Sequence, residues 1–273
     1  MPFPAIALLD SFIRGDEHPL SDGGQWTAFP CPDARAGGGP GEAPQVKNNR
    51  CTSVFGWGEG EYSAYWNPSV FADIAAAFRQ EPQFPWLVGG GGEEPGEKAR
   101  LYVRLKKVTA TEFTGYFLQL EKDTETEGKW KITLRKFVAP SVASTVLREV
   151  TLASGVANGD LWGITAIGTI LQMWHKKGAG AWEELAEPVT DASFAEGWTG
   201  VGVRGTATRA GVQDFEAGQA ETKEEKEAKE KAAKEKAEEE EQHKPNNTPV
   251  TKFQPDAPGV RLLLPPTRVR IGR

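Results

Sequence analysis

The chain has 273 residues, 38% of them hydrophobic and 10% aromatic, which is ample for one large core and thin for two ordinary domains. Its formal net charge of −6 is unevenly spread: residues 245 onward set five basic side chains against Asp256 alone, residues 221–244 set ten Glu against seven Lys, and the rest is strongly acidic. An acidic body lacks the clustered Lys and Arg that neutralise phosphates, which excludes nucleic acid as the partner of the main domain.

The opening MPFPAIALLDSF has no basic region and its apolar run stops at Asp10, so it does not read as a secretory signal. No apolar stretch approaches the ~20 residues of a membrane span, and the expectation is a protein folded in a cytoplasm without membrane insertion. Cys31 and Cys51 lie in the Gly/Pro-rich early region and read as free thiols, a bridge between them being the alternative. The Gly37–Gly41 and Gly89–Gly92 runs lack the Lys-Ser/Thr of a phosphate loop and read as loops. In NPSVFADIAAAFRQ, Val70, Phe71, Ile74, Ala75 and Phe78 fit helical spacing while Ile74, Ala76 and Phe78 fit a strand; the three alanines favour helix by propensity, and periodicity leaves the choice open.

From about 99 to 216 the hydrophobic pattern has period two. In ARLYVRLKKV, Leu101, Val103 and Leu105 fall on one face and Tyr102, Arg104 and Lys106 on the other, as in a half-buried strand. FTGYFLQLEK, KWKITLRKFV, TVLREVTL, DLWGITAIG and TILQMWHKK repeat the pattern between short turn-rich segments, which predicts an antiparallel all-β sandwich or barrel and disfavours a parallel-sheet enzyme.

Gly200, Gly202 and Gly205 in GVGVRG spell a dinucleotide fingerprint, but strand pattern continues on both sides, so they read as glycines packed under a neighbouring strand and no cofactor is expected. Glu121, Asp123 and Glu125 have the spacing of a glycosidase carboxylate array, yet Lys122 and Thr124 between them and the TETEG turn mark solvated acids at a hairpin end. His18, His175 and His243 show no metal-ligand spacing, so neither a catalytic nor a metal site is expected. Of the nine tryptophans, Trp162 and Trp198 sit in strand contexts that read as core, whereas Trp57, Trp66, Trp86 and Trp182 lie near turn residues and are the candidates for displaying an aromatic face to a sugar. Trp66, just before Asn67-Pro68, leads them.

Residues 220–242 are polar almost all round. Glu225 with Lys229, Glu227 with Lys231 and Glu230 with Lys234 stand in the favourable i, i+4 order, each worth about 0.2–0.5 kcal/mol. They predict a helical rod roughly 35 Å long, with too narrow an apolar stripe for a coiled coil. The following PNNTPVTKFQPDAPGVRLLLPPTRVRIGR has too many prolines for a helix and too little apolar content to fold alone. It reads as an extended strap that grips a partner through Leu262, Leu263 and Leu264 and through Arg268, Arg270 and Arg273.

LLDSFIRGDEHPLSDGGQW, SAYWNPSVF, GDLWGITAIGTILQMWHKKGAGAWEEL and GWTGVGVRGTATRAGVQDF together resemble the concanavalin A-like lectin/glucanase (laminin G-like jelly-roll) domains of tailed-phage virion proteins, over roughly residues 5–218. Asp10, Phe12 and Arg14 match the family's first element, and Asp214 and Phe215 its last, the two elements pairing near the ends of the jelly roll. Gln213 stands where the family usually has a further acid, which argues against carrying over a cation site. The resemblance also implies a strand at about 71–79.

The expectation is therefore an all-β antiparallel jelly-roll β-sandwich (1–218), a charged α-helical spacer (219–244) and an extended, Pro-rich, basic C-terminal arm (245–273). What the resemblance implies is a non-enzymatic structural protein of a bacteriophage virion, on the tail or its tip in preference to a head decoration. Its partners would be other virion proteins, held through the arm, a host-surface glycan bound weakly, and further copies of itself on the particle. A glycan hydrolase of the same fold and a free lectin are the alternatives.

Overall fold

In a computed structural model the described residues are 2–30, 44–52, 61–80, 98–122, 129–139, 143–152, 157, 159–204, 211–220, 231–232 and 234–236. The chain divides into two compact units, Met1–Lys223 and Glu224–Arg273. In the second unit, residues 231–232 and 234–236 are α-helical and exposed. The remainder of the expected rod, and the arm with Leu262, Leu263, Leu264, Arg268, Arg270 and Arg273, lie outside the described residues.

The first unit is built from β1 (Ala7–Asp10), β2 (Trp26–Ala28), β3 (Gln45–Val46), β4 (Cys51–Thr52), β5 (Glu61–Trp66), β6 (Ile74–Gln80), β7 (Lys98–Lys107), β8 (Phe113–Lys122), β9 (Trp130–Phe137), β10 (Ser144–Leu152), β11 (Leu161–Ile167), β12 (Ile170–Lys176), β13 (Trp182–Glu184), β14 (Val189–Thr190), β15 (Trp198–Arg204) and β16 (Gly211–Gln219). One sheet of nine strands runs β13-β12-β11-β6-β16-β4-β3, with β1 added on β16 and β14 on β12; a second of seven strands runs β10-β9-β8-β7-β15-β5-β2. All pairings are antiparallel. The period-two pattern turns Phe78, Trp162, Ile164, Met173 and Phe215 of the first sheet toward Leu101, Val103, Leu118, Ile132 and Val201 of the second, closing one core between them. Each such side chain contributes about 1.5–3 kcal/mol on burial.

The termini of the sandwich meet in one sheet, as the resemblance implies, with Asp10 opposite Phe215 in the β1–β16 pair. Asp10 is a buried lock. Its Oδ1 accepts the Phe12 N–H at 2.7 Å and Arg14 Nη1 at 2.6 Å, while its Oδ2 accepts the Trp26 indole N–H at 2.8 Å. Phe12 has a φ of 55°, and the hydrogen bond from its backbone to the carboxylate two residues earlier is what holds a non-glycine residue in that region. Packing continues past the expected boundary at 218: β16 reaches Gln219, the Ala220 N–H bonds to Asp73 O at 2.9 Å, and the Ala220 side chain is buried.

One local reading is settled as the resemblance implies, and one needs correction. The alanine-rich segment is strand β6, because alternate alanines serve both faces of the sheet: Ala76 enters the inter-sheet core while Ala75 and Ala77 lie under a separate apolar cluster on the outside. In β7 the expected solvent face is covered at Tyr102 and Arg104 and open only at Lys106. Tyr102 is fully buried, and Arg104 is 1% exposed. A bulge between Val103 and Lys106, with Arg104 at φ 49°, turns the Arg104 guanidinium to the end of the sandwich. There it donates to the carbonyls of Ala72, Gly168, Phe194 and Ala166 and to Asp73 Oδ1, over 2.7–3.3 Å.

Tyr102 belongs to a second aromatic layer, on the outer face of the seven-stranded sheet, with Phe29, Tyr65, Phe113, Phe117 and Phe137 buried and Trp198 packed against it. Gly200 and Gly202 of GVGVRG make room for this sheet's packing, while Gly205 lies outside the described residues. A Cβ on Gly202 would lie 2.6 Å from Ser63 Oγ and 2.9 Å from the Tyr102 ring, and one on Gly200 would lie 2.3 Å from the Ala64 carbonyl oxygen. They are packing glycines, set under the neighbouring strand and under Tyr102.

Candidate functional site

The four candidate tryptophans have different fates. Trp66 is a core residue, not a displayed one: it is 9% exposed, its strand position opposite Trp26 turns it inward, and its ring meets Trp26 edge-on at 5.3 Å. The Asn67-Pro68 turn begins only after the side chain has been committed to the core. Trp57 and Trp86 lie outside the described residues. Trp182 alone of the four is both described and partly exposed.

Trp182 opens β13, at the edge of the nine-stranded sheet. In the β12–β13 pairing, Trp182 stands opposite Lys176 and Glu184 opposite Trp174. Directly opposed residues share a face, as do residues two apart along a strand. These four side chains therefore form a checkerboard on the outer face of the sheet, with the indoles on one diagonal and the ammonium and carboxylate on the other. Trp174 is buried, and its indole N–H is tied to Thr165 Oγ1 at 3.1 Å. Trp182 and Lys176 are half-buried, and Glu184 is exposed.

Chemically, the arrangement sets two indoles, whose π faces carry a negative quadrupole that attracts electron-poor C–H groups, beside one charged donor and one charged acceptor for hydroxyls. That is the lining of a small polar-ring ligand site: mostly aromatic, with a few placed polar groups. Trp174 went unrecognised in the sequence because ILQMWHKK reads as an ordinary strand; the i, i+2 spacing of Trp174 and Lys176 against that of Trp182 and Glu184 was the available signal. The ring between the two indoles belongs to Phe3, which no pattern singled out. It is stacked on Trp182 at 4.1 Å and 30° and meets Trp174 edge-on at 5.6 Å.

Glu121 lies on the outer face of β8, accepting Gln119 Nε2 at 2.9 Å, with Lys98 Nζ at 3.3 Å, while Gln119 Oε1 accepts Arg100 Nε at 2.8 Å. Asp123 and Glu125 lie outside the described residues. Asp214 is paired with Arg79 at 2.6 Å, and its neighbour Glu216 is raised above the ordinary carboxylate range, first by burial and then by Asp214. Asp191 holds Tyr116 Oη and Lys136 Nζ at 2.7 and 2.6 Å; burial opposes its ionisation, but the hydrogen bonds from Lys136, Ser193 and Tyr116 bring it well below the usual range. Burial, reinforced by Asp191, pushes Tyr116 up to about 12. His175 stacks on Trp162 at 4.0 Å, with Nε2 3.0 Å from Asp160 Oδ2; burial holds it below its ordinary value against the pull of Asp160. Cys51 is a buried free thiol whose pKa burial pushes up, and Cys31 lies outside the described residues. Among the described residues no group of three or more His, Cys, Asp or Glu is placed to hold a metal ion.

No protein-family model and no curated protein matches the chain. Solved structures similar to it are carbohydrate-binding or lectin-like β-sandwiches. The carbohydrate-binding module CBM66 from Bacillus subtilis has 14% identity and a TM-score of 0.41, covering 70% of this chain and 91% of that one. The CBM2 module of the evolved Dit of Lactobacillus casei BL23 phage J-1 has 14% identity and a TM-score of 0.45, covering 74% and 93%. The legume lectin-like domain from Entamoeba histolytica has 9% identity and a TM-score of 0.46, covering 80% and 100%.

Proposed function

We propose that the protein is a structural component of a bacteriophage virion, on the tail or tail tip, and that its β-sandwich binds host-surface glycan weakly at the Trp174–Trp182 checkerboard. The observation that carries the glycan reading is the placement of two indoles, an ammonium and a carboxylate on one patch of a rigid outer sheet face. A sheet face with no ligand is ordinarily solvated by polar side chains or sealed by packed elements, whereas here a single ring, Phe3, covers the indoles beside two charged side chains. The electron-poor C–H face of a pyranose fits an indole, and its hydroxyls fit Lys176 and Glu184. One such contact is weak, so binding strength comes from many copies acting together.

The virion reading is supported by the sequence beyond the sandwich. A charged rod and a proline-rich arm add nothing to a core, and they suit a spacer and a strap that lies along another protein. Leu262, Leu263 and Leu264 would bury apolar area on that partner, and Arg268, Arg270 and Arg273 would meet its acidic groups. A chain ending at Lys223 keeps all of β16 and Ala220, so it isolates the arm's contribution. It is expected to fold with unchanged thermal stability and to be missing from assembled particles; incorporation at normal copy number contradicts the anchoring role. Particles carrying the full chain are expected to give signal on a glycan array that is lost in Trp182→Ala. A signal indifferent to that substitution contradicts the site.

A further inference from the structure

The aromatic patch on the nine-stranded sheet is already occupied by the protein's own chain. Phe3 lies over Gly163, so close that a Cβ there would come within 2.7 Å of its ring. It is flanked by Trp174 and Trp182 and shares one apolar cluster with Ala75, Ala77 and Ala220, with Ile6 packed alongside. Small residues beneath and indoles beside make a slot the size of one six-membered ring.

What holds the segment there is informative. The ladder between β1 and β16 begins at Ala7 opposite Ala217, and the described backbone hydrogen bonds outside the strands start only at Arg14. Residues 3–6 are thus attached by side chains, chiefly Phe3. Pro2 and Pro4 flank it, and neither has an N–H to donate to a sheet. A segment without backbone bonds opens at far lower free energy than the strands it covers.

We infer that the N-terminal segment is a displaceable plug, which closes the Trp174–Trp182 sugar site by placing Phe3 where a pyranose ring would stack. This rests on the glycan reading of that patch and adds its regulation. Phe3 and the sugar compete for the face of Trp182, so the apparent affinity is the intrinsic one reduced by the fraction of molecules in which the plug is out. Anything that draws the N-terminus away, such as its capture by a neighbouring protein in an assembled particle, would switch the site on.

The test compares wild type, Phe3→Ser, Phe3→Leu and the double variant Phe3→Ser/Trp182→Ala, all first checked for a native far-UV spectrum. The probes are methyl β-glucoside, methyl β-galactoside and methyl N-acetyl-β-glucosaminide, read by saturation-transfer NMR, with tryptophan emission as a readout that needs no ligand. Phe3→Ser is expected to red-shift the emission and tighten binding of at least one glycoside about tenfold. Phe3→Leu, which keeps an apolar plug, should fall between it and wild type, and the double variant should lose the signal. Binding equal in wild type and Phe3→Ser would overturn the plug while leaving the site standing. Absence of binding in every variant, with the red shift present, would overturn the sugar site and the plug with it. An unshifted emission in Phe3→Ser would show that Phe3 does not cover Trp182 in solution.

Discussion

The two outer faces of the sandwich both carry aromatic layers, but the means that hold them differ. On the seven-stranded sheet, Tyr102 crosses Gly202, its hydroxyl lies 3.1 Å from Ser63 Oγ, and Phe29 and Phe117 pack on it at 5.0 and 5.4 Å. Every ring but Trp198 is buried; of the glycines beneath, Gly202 is pressed against Ser63 and the Tyr102 ring, and Gly200 against the Ala64 and Tyr65 backbone. On the nine-stranded sheet, the layer is closed by a single phenyl ring on a segment without a hydrogen-bond ladder. The first layer is a second core, and the second is a patch with a removable cover. The difference teaches that aromatic content alone does not distinguish stability from recognition; what decides it is whether the covering element is tied down by its own backbone.

A matched pair of glycine substitutions gives the largest expected contrast. Gly200→Ala drives a methyl into the Ala64 carbonyl and the Tyr65 Cα, neither of which can step aside, and it should cost about 3 kcal/mol in denaturant unfolding. Gly163→Ala meets only the Phe3 and Trp182 rings, which can move. It should cost under about 1 kcal/mol and should red-shift tryptophan emission by expelling the plug. Equal losses would erase the distinction between the faces.

Acid offers a second contrast, because the pH-sensitive group sits between the sheets rather than on either aromatic face. His175 is held below its ordinary value in the folded protein, so the unfolded chain takes up a proton first as pH falls. Stability should be full above about 6.5 and decline as pH drops from there to the folded-state value, a loss that His175→Gln removes. Glu17 adds a lower window. Burial opposes its ionisation, but hydrogen bonds from Ser21, Arg14 and Asp22 bring it to about 2, so its contribution is present above its ordinary 4.5 and is lost as pH falls between those values. Tryptophan emission from the plugged patch should not follow the His175 step; if it does, the plug is coupled to the inter-sheet core.

Much of this fold was legible from residue 99 onward, because period-two alternation and short turns leave few alternatives to an antiparallel sandwich. The second layer was not. Tyr102 and Arg104 stand at solvent positions by alternation, and only the tertiary structure shows that Phe29 and the bulge at Arg104 cover them. The Ile74–Gln80 strand was ambiguous because its alanines follow the needs of the N-terminal segment that packs Phe3 on the outer face, which propensity does not encode. Turn proximity misled at Trp66, since the residue before a turn is still bound by the pleat of its strand. At Trp182 it found a half-exposed ring, and missed the partners that cross-strand register puts beside it.

The smallest perturbation isolates the surface itself. Trp182→Ala should lower stability by about 1 kcal/mol, since the ring is half-exposed and at a sheet edge, while removing sugar binding. Trp66→Phe, in the core, should do the reverse: measurable destabilisation with binding retained.

The most direct measurement is a titration of the wild-type sandwich with methyl hexopyranosides, followed by the indole N–H resonances of its tryptophans. The resonances of Trp174 and Trp182 are predicted to move with sugar concentration, while those of Trp26, Trp66 and Trp162, buried between the sheets, stay still. Shifts confined to other tryptophans, or none at tens of millimolar sugar in either the wild-type or the Phe3→Ser sandwich, would contradict the account.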